Sequence, residues 1–141
     1  MNINEDLKDL ANELTVLYVE DEADTRSQIT QILQIFFKNV LVGKNGEEAL
    51  GIYIENEVDL IITDLTMPRM DGLTLIKEIR ELNFFQHIIV LTAHNSSENL
   101  METINQQIDG VLLKPVKMDK LLNLLYKVLK TISLEKNDKN K

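Results

Sequence analysis

The chain has 141 residues, with 15 Lys and Arg against 23 Asp and Glu and a formal net charge of -8. That length suits one domain with an ordinary core, and the acidic balance disfavours nucleic acid or an anionic membrane surface as a partner, since both call for a basic face. With no cysteine, a disulfide framework, a thiol redox centre and a Cys-ligated zinc site are excluded.

Residues 1–13 carry Ile3, Leu7 and Leu10, continued by Leu14, at helical spacing. Two heptads are too few for a coiled coil. The segment is therefore read as a short N-terminal helix docked on the body, with a homodimer or partner contact as the alternative. It has no basic stretch followed by an apolar one, so it does not read as a secretory signal. No apolar run approaches the ~18 residues of a membrane span. A cytoplasmic domain is the expectation.

From residue 14 to 133, apolar runs alternate with helical periodicity. The runs are residues 15–19, 40–42, 60–63, 88–91 and 111–113. The first, third and fourth are continuously hydrophobic, as strands covered on both faces of a parallel sheet would be. Between them lie stripes at the 3.6-residue period: Ile29, Ile32, Leu33 and Phe36; then Leu73, Ile76 and Ile79; then Leu100, Met101, Ile104 and Ile108. Leu121, Leu125, Val128 and Ile132 line the last helix. Asn45 with Glu48, and Asn95 with Glu98, resemble capping boxes, and Asp71-Gly72 offers a further cap. Lys117 stands where a capping residue is expected before the last helix. Residues 134–141 read as a polar C-terminal tail. The pattern is (βα) repeated five times, with right-handed crossovers giving an open parallel sheet with helices on both faces.

Ligands of such sheets bind beyond the carboxyl ends of the strands. There the sequence places Glu20-Asp21-Glu22, Asp64, Thr92-Ala93 and Lys114-Pro115. Carboxylates at Glu20, Asp21 and Asp64 would repel one another. A hard divalent cation relieves that, and Mg²⁺ is the usual occupant of small carboxylate sites that also hold phosphate. Glu20 to Glu22 could instead cap the first helix of the repeat. Asp64 ends a buried strand and is either a cap or a nucleophile toward phosphorus. Lys114 ends an apolar run, where an ammonium needs an anionic partner or must snorkel to solvent. Beside a phosphoryl group it would neutralise the oxygens. Thr92 offers a hydroxyl, or serves strand propensity alone. Together these groups fit one reaction, phosphoryl transfer to Asp64.

The residues Glu20-Asp21, the segment from Asp64 through Thr66, Met67, Pro68 and Met70 to Asp71-Gly72, Thr92-Ala93 and Lys114-Pro115 resemble a response-regulator receiver domain over about residues 14–133. The resemblance implies a doubly wound α/β sheet in strand order 2-1-3-4-5, of the flavodoxin-like type. It implies that Asp64 accepts a phosphoryl group from a histidine kinase or phosphotransfer protein. Asp21, Asp64 and the Thr66 carbonyl would ligate Mg²⁺, with Glu20 acting mainly through water. Lys114 and Thr92 would engage the phosphoryl group. The signal would then pass to the face formed by the last two helices of the repeat and the strand between them, and on to an output partner or a further domain. Such a chain is a switch that catalyses only its own phosphorylation and dephosphorylation.

Two positions depart from the family's habit. Val111 stands where an aromatic is common, and Val116 where Phe is frequent. Thr66 and His94 occupy positions that set dephosphorylation rate in this family. Two other readings remain: a receiver-like interaction module that takes no phosphate, and a Mg²⁺-dependent phosphatase. The second is disfavoured because Thr66, not an aspartate, lies two residues beyond Asp64. His87 and His94 form no spaced pair for a transition metal.

Overall fold

The computed structural model describes residues 2–93 and 97–139. The elements run α1 (Ile3–Ala11), β1 (Thr15–Val19), α2 (Ala23–Phe36), β2 (Asn39–Gly43), α3 (Gly46–Glu55), β3 (Leu60–Asp64), α4 (Gly72–Leu82), β4 (His87–Thr92), α5 (Ser97–Ile104), β5 (Gly110–Leu113) and α6 (Met118–Lys139). The five strands are parallel in the order β2-β1-β3-β4-β5. This is the expected architecture, and every apolar run named above is a strand. Among the described residues, no helix is long and apolar enough to cross a membrane.

The continuous hydrophobicity of β1, β3 and β4 has the anticipated cause. Alternate residues serve two separate cores. Val16, Leu60, Ile62, Ile89 and Leu91 pack with α1, α2 and α6, while Leu17, Val19, Ile61, Ile88 and Val90 pack with α3 and α4. The outer strands β2 and β5 are only partly buried, as sheet edges must be. The N-terminal seam is a helix against the body: Leu7 and Ala11 are fully buried in the first core.

Helix starts follow from local hydrogen bonding. Asn45 accepts from the Glu48 N–H at 2.8 Å, while the Glu48 carboxylate reaches the Lys44 N–H at 3.3 Å, one residue before a strict capping box. Asp71 caps α4 by accepting from the Thr74 N–H at 2.9 Å. His94 and Asn95 lie outside the described residues, and the Asn95–Glu98 cap with them. Before α6, the Lys117 carbonyl accepts the first helical bond from the Leu121 N–H at 3.0 Å.

One expectation needs correction. The segment from residue 134, read as a polar tail, continues α6 through Lys139. Its charges find partners at the start of the sheet. The Lys136 ammonium lies 3.1 Å from Asp59, and the Glu135 carboxylate 2.6 Å from His87 Nε2. His87 Nδ1 lies 3.0 Å from Asp109. Asp59 and Asp109 are themselves fixed, accepting from the Thr15 and Ile88 N–H groups at 2.8 and 2.7 Å.

With a carboxylate on each ring nitrogen, His87 is held as an imidazolium. The Asp109 hydrogen bond, aided by Glu135 and opposed by burial, raises its pKa from 6.5 to about 9. Stabilisation from a raised histidine is complete below the unfolded-state value and is lost as pH rises through the folded one. His87→Ala should therefore cost about 1 kcal/mol at pH 7, a modest figure because Glu135 is half exposed. Denaturant melts should show the wild-type advantage fading as pH rises from about 6.5 to about 9.

Candidate functional site

The carboxyl rim of the sheet gathers the charges. Register places Val19 beside Thr63 and Asp64 beside Leu91, so Glu20 and Asp64 emerge side by side from β1 and β3. The chain leaves β1 in a turn that Arg26 grips from the first turn of α2. Its guanidinium donates to the carbonyls of Glu20 at 3.0 Å and Asp21 at 3.3 Å. Glu22 is the N-cap of α2, accepting from the Asp24 and Thr25 N–H groups at 3.1 and 2.7 Å. The capping role is thus taken by Glu22, which leaves Glu20 and Asp21 for the rim.

Carboxylate oxygens of Glu20, Asp21 and Asp64 lie within 4.8 Å of one another. Opposite ligands around an ion with ~2.0–2.1 Å bonds sit about 4 Å apart, so an all-oxygen set of this span fits a small hard cation after slight adjustment. Glu20 is fully buried and Asp64 nearly so, while Asp21 is exposed. Lys114 closes the group. Its ammonium lies 2.7 Å from Glu20 Oε1 and 2.8 Å from Asp64 Oδ2.

Burial, reinforced by the Asp64 charge, pushes the Glu20 carboxyl above its ordinary value despite the Lys114 hydrogen bond. Burial would pull the Lys114 ammonium down, but the hydrogen bonds and charges of Asp64 and Glu20 outweigh it and raise its pKa. The lysine is therefore firmly charged and forms the cationic wall of an anionic cup.

Thr92 ends β4, buried beside these groups, and its hydroxyl donates to the Ala93 carbonyl at 3.2 Å. The β5 end is tied to it, since the Lys114 N–H donates to the Thr92 carbonyl at 2.8 Å. The Lys114–Pro115 peptide is cis. Thr66 is exposed in the loop that follows Asp64.

That loop is anchored by Gly72, whose N–H donates to the Leu65 carbonyl at 2.8 Å. A Cβ at Gly72 would stand 2.1 Å from the Asp64 carbonyl oxygen. Arg69 and Met70 adopt positive φ values of 56° and 80° to turn the chain back, and the Met70 carbonyl accepts from the Gly46 N–H at 3.1 Å. The sequence marks Gly72 only as part of a turn. Its approach to Asp64, like the reach of Arg26, carries no local sequence signal.

An open parallel α/β domain with an acidic, lysine-walled cup on its carboxyl rim belongs to the class that binds ligands at strand ends. Comparison with known proteins gives the class its family. Residues 16–126 match the response regulator receiver domain. The chain is 33% identical over 115 residues to the chemotaxis protein CheY of Bacillus subtilis, covering 81% of this chain and 96% of CheY. It is 30% identical over 114 residues to the nitrate/nitrite response regulator NarL of Escherichia coli K12, covering 79% of this chain and 53% of NarL. The crystallised receiver domain of AraT from Geobacillus stearothermophilus superposes with a TM-score of 0.80 at 35% identity, covering 87% of this chain and 98% of that one. This chain belongs to the response-regulator receiver domain family of two-component signalling.

The geometry of the loop can be tested directly. Gly72→Ala must displace the backbone that carries Asp64, at a cost of about 3 kcal/mol. Urea unfolding should show it, with the cost exceeding that of Gly51→Ala, where an added Cβ meets nothing within 4 Å.

Proposed function

We propose that the chain is a phosphorylation-dependent switch in which Asp64 accepts a phosphoryl group from a histidine kinase or phosphotransfer protein. The observation that carries this reading is the shared position of Glu20, Asp21, Asp64 and Lys114 on one rim. In the transfer, an Asp64 carboxylate oxygen attacks phosphorus. The P–N bond of the donor phosphohistidine breaks, and its electron pair returns to the imidazole. A bound Mg²⁺ would supply charge neutralisation at the phosphoryl oxygens, held by Asp21, Asp64 and the Thr66 carbonyl, with Glu20 acting through water.

The chain's own groups do the rest. Lys114 holds Asp64 by one oxygen, which leaves the other to face phosphorus. After transfer, Lys114 is released toward the new phosphoryl oxygens, because the dianion attracts it more strongly than one carboxylate does. Thr92 turns its hydroxyl from the Ala93 carbonyl to the same oxygens. Preorganised charge of this kind favours the charged product state.

The N-terminal helix shifts the helix count by one, so the proposed output face is α5–β5–α6. Met101, Ile104, Leu113 and Met118 on these elements are exposed, which supports a face that docks a partner. Val111 is half buried among the side chains of the second core. Any coupling through β5 would therefore have to work without an aromatic at this position.

Incubation with Mg²⁺ and acetyl phosphate should add one phosphoryl mass per chain, read by intact-mass spectrometry and absent in Asp64→Asn. An unchanged wild-type mass would instead favour a constitutive interaction module. Rapid turnover of phosphate monoesters would favour a phosphatase. Lys114→Ala should retain Mg²⁺ binding by calorimetric titration, because the oxygen ligands remain, while losing output. Loss of Mg²⁺ binding in that variant would contradict the placement of Lys114 at the phosphoryl oxygens.

A further inference from the structure

Below the rim lies a polar atom that the site described so far does not use. Tyr18 is fully buried, and its hydroxyl makes no hydrogen bond of good geometry among the described residues, only a marginal contact with the Glu20 carboxylate. A buried hydroxyl left unpaired is unfavourable and calls for a reason.

Strand geometry shows where it sits. Side chains two residues apart share a face of a strand, so Tyr18 lies one layer below Glu20 on β1. Tyr18 pairs in register with Ile62, and Asp64 stands two residues further along β3. The phenol thus lies under both carboxylates. Burial, and after it the charges of Glu20 and Asp64 and the marginal contact with Glu20, push its pKa far above the ordinary value. The phenol therefore keeps its proton and has an O–H to donate.

The partners of Glu20 suggest what the donor is for. Glu20 is fully buried. One of its oxygens receives Lys114 at 2.7 Å, and the other receives the Glu22 N–H at a long 3.3 Å. Departure of Lys114 toward a phosphoryl group would strip this buried carboxylate of its strong donor. Removing one partner of a buried charge is the costly half of such a pair. The Tyr18 hydroxyl, in marginal contact with that carboxylate at rest, lies on the same sheet face.

We infer that Tyr18 is a positioning residue, which takes over the Glu20 carboxylate when Lys114 leaves it for the phosphoryl group and so keeps Glu20 aimed at the cation. The inference rests on the phosphoacceptor reading of Asp64. It exchanges hydrogen bonds only, and no covalent bond is made or broken. It gives the switch a second set of contacts in the phosphorylated state, since the resting rim holds Glu20 chiefly by Lys114 and the active rim by a tightened bond from Tyr18.

The chain has 3 tyrosines and no tryptophan, so Tyr18 can report on itself. In a Tyr53→Phe/Tyr126→Phe background it is the sole tyrosine, and hydrogen bonding of a phenol to a carboxylate quenches its emission. Mg²⁺ alone should leave the emission unchanged. Mg²⁺ with beryllofluoride, a non-covalent phosphoryl mimic, should quench it. Tyr18→Phe in the otherwise natural chain should weaken uptake of the mimic about tenfold, the scale of one hydrogen bond to a charged group. Its affinity for Mg²⁺ alone should be unchanged. A general packing defect would lower both affinities together.

Uptake of the mimic by the natural chain is followed independently by fluorine NMR, which separates the two claims. Uptake with unchanged Tyr18 emission, or equal uptake by Tyr18→Phe, overturns the role of Tyr18 and leaves the phosphoacceptor reading standing. No uptake by the natural chain overturns the phosphoacceptor reading, and the inference with it. Should Tyr18→Phe fail to fold, the emission measurement on native Tyr18 decides alone.

Discussion

Two buried carboxylates can share the end of a hydrophobic sheet only because Lys114 stands between them. Glu20 and Asp64 are delivered by neighbouring strands whose apolar residues leave them no other place to go. Without a cation, the two charges would repel each other in a setting that solvent does not screen. The lysine keeps the cup anionic yet neutralised, with one oxygen of each carboxylate engaged. The same contact is electrostatic in kind. An ammonium shared by two carboxylates is held by attraction rather than by packing, so a stronger anion can take it.

The rest of the fold serves to keep that contact in register. Parallel pairing sends every strand end to one rim, and two independent cores fix β1, β3 and β4 from both sides. The loops that finish the site are held by backbone contacts. Arg26 binds two carbonyls of the β1–α2 turn, and Gly72 lets the loop after Asp64 fold back onto its own carbonyl. The acidic side chains are kept for the rim because neighbouring residues carry the structural duties, as Glu22 does at the start of α2.

Much of this was legible in the residues. Asp64 and Lys114 each close an apolar run, and a charge in that position announces itself. The strands at 15–19, 60–63 and 88–91 are marked by unbroken hydrophobicity, which only double-sided burial explains. The hidden parts share one trait: their partners are remote in sequence or are backbone atoms. Arg26 reads as a solvated helix residue until the carbonyls of Glu20 and Asp21 are seen beneath it. Tyr18 reads as one more core aromatic, because a pattern of apolar residues says nothing of where a hydroxyl ends. The polar run after Leu134 reads as a loose tail, since Asp59 and His87, which receive it, lie far back along the chain.

That last feature changes how α6 behaves as a body. A 22-residue helix is about 33 Å long. It begins just beyond Lys114 on the reactive rim, and near its far end it is bonded to His87 and Asp59 at the opposite rim. A helix pinned only along its side loosens at the tip and dissipates motion there. One pinned near both ends acts as a crossbar that ties the carboxyl rim of the sheet to the rim where the strands begin.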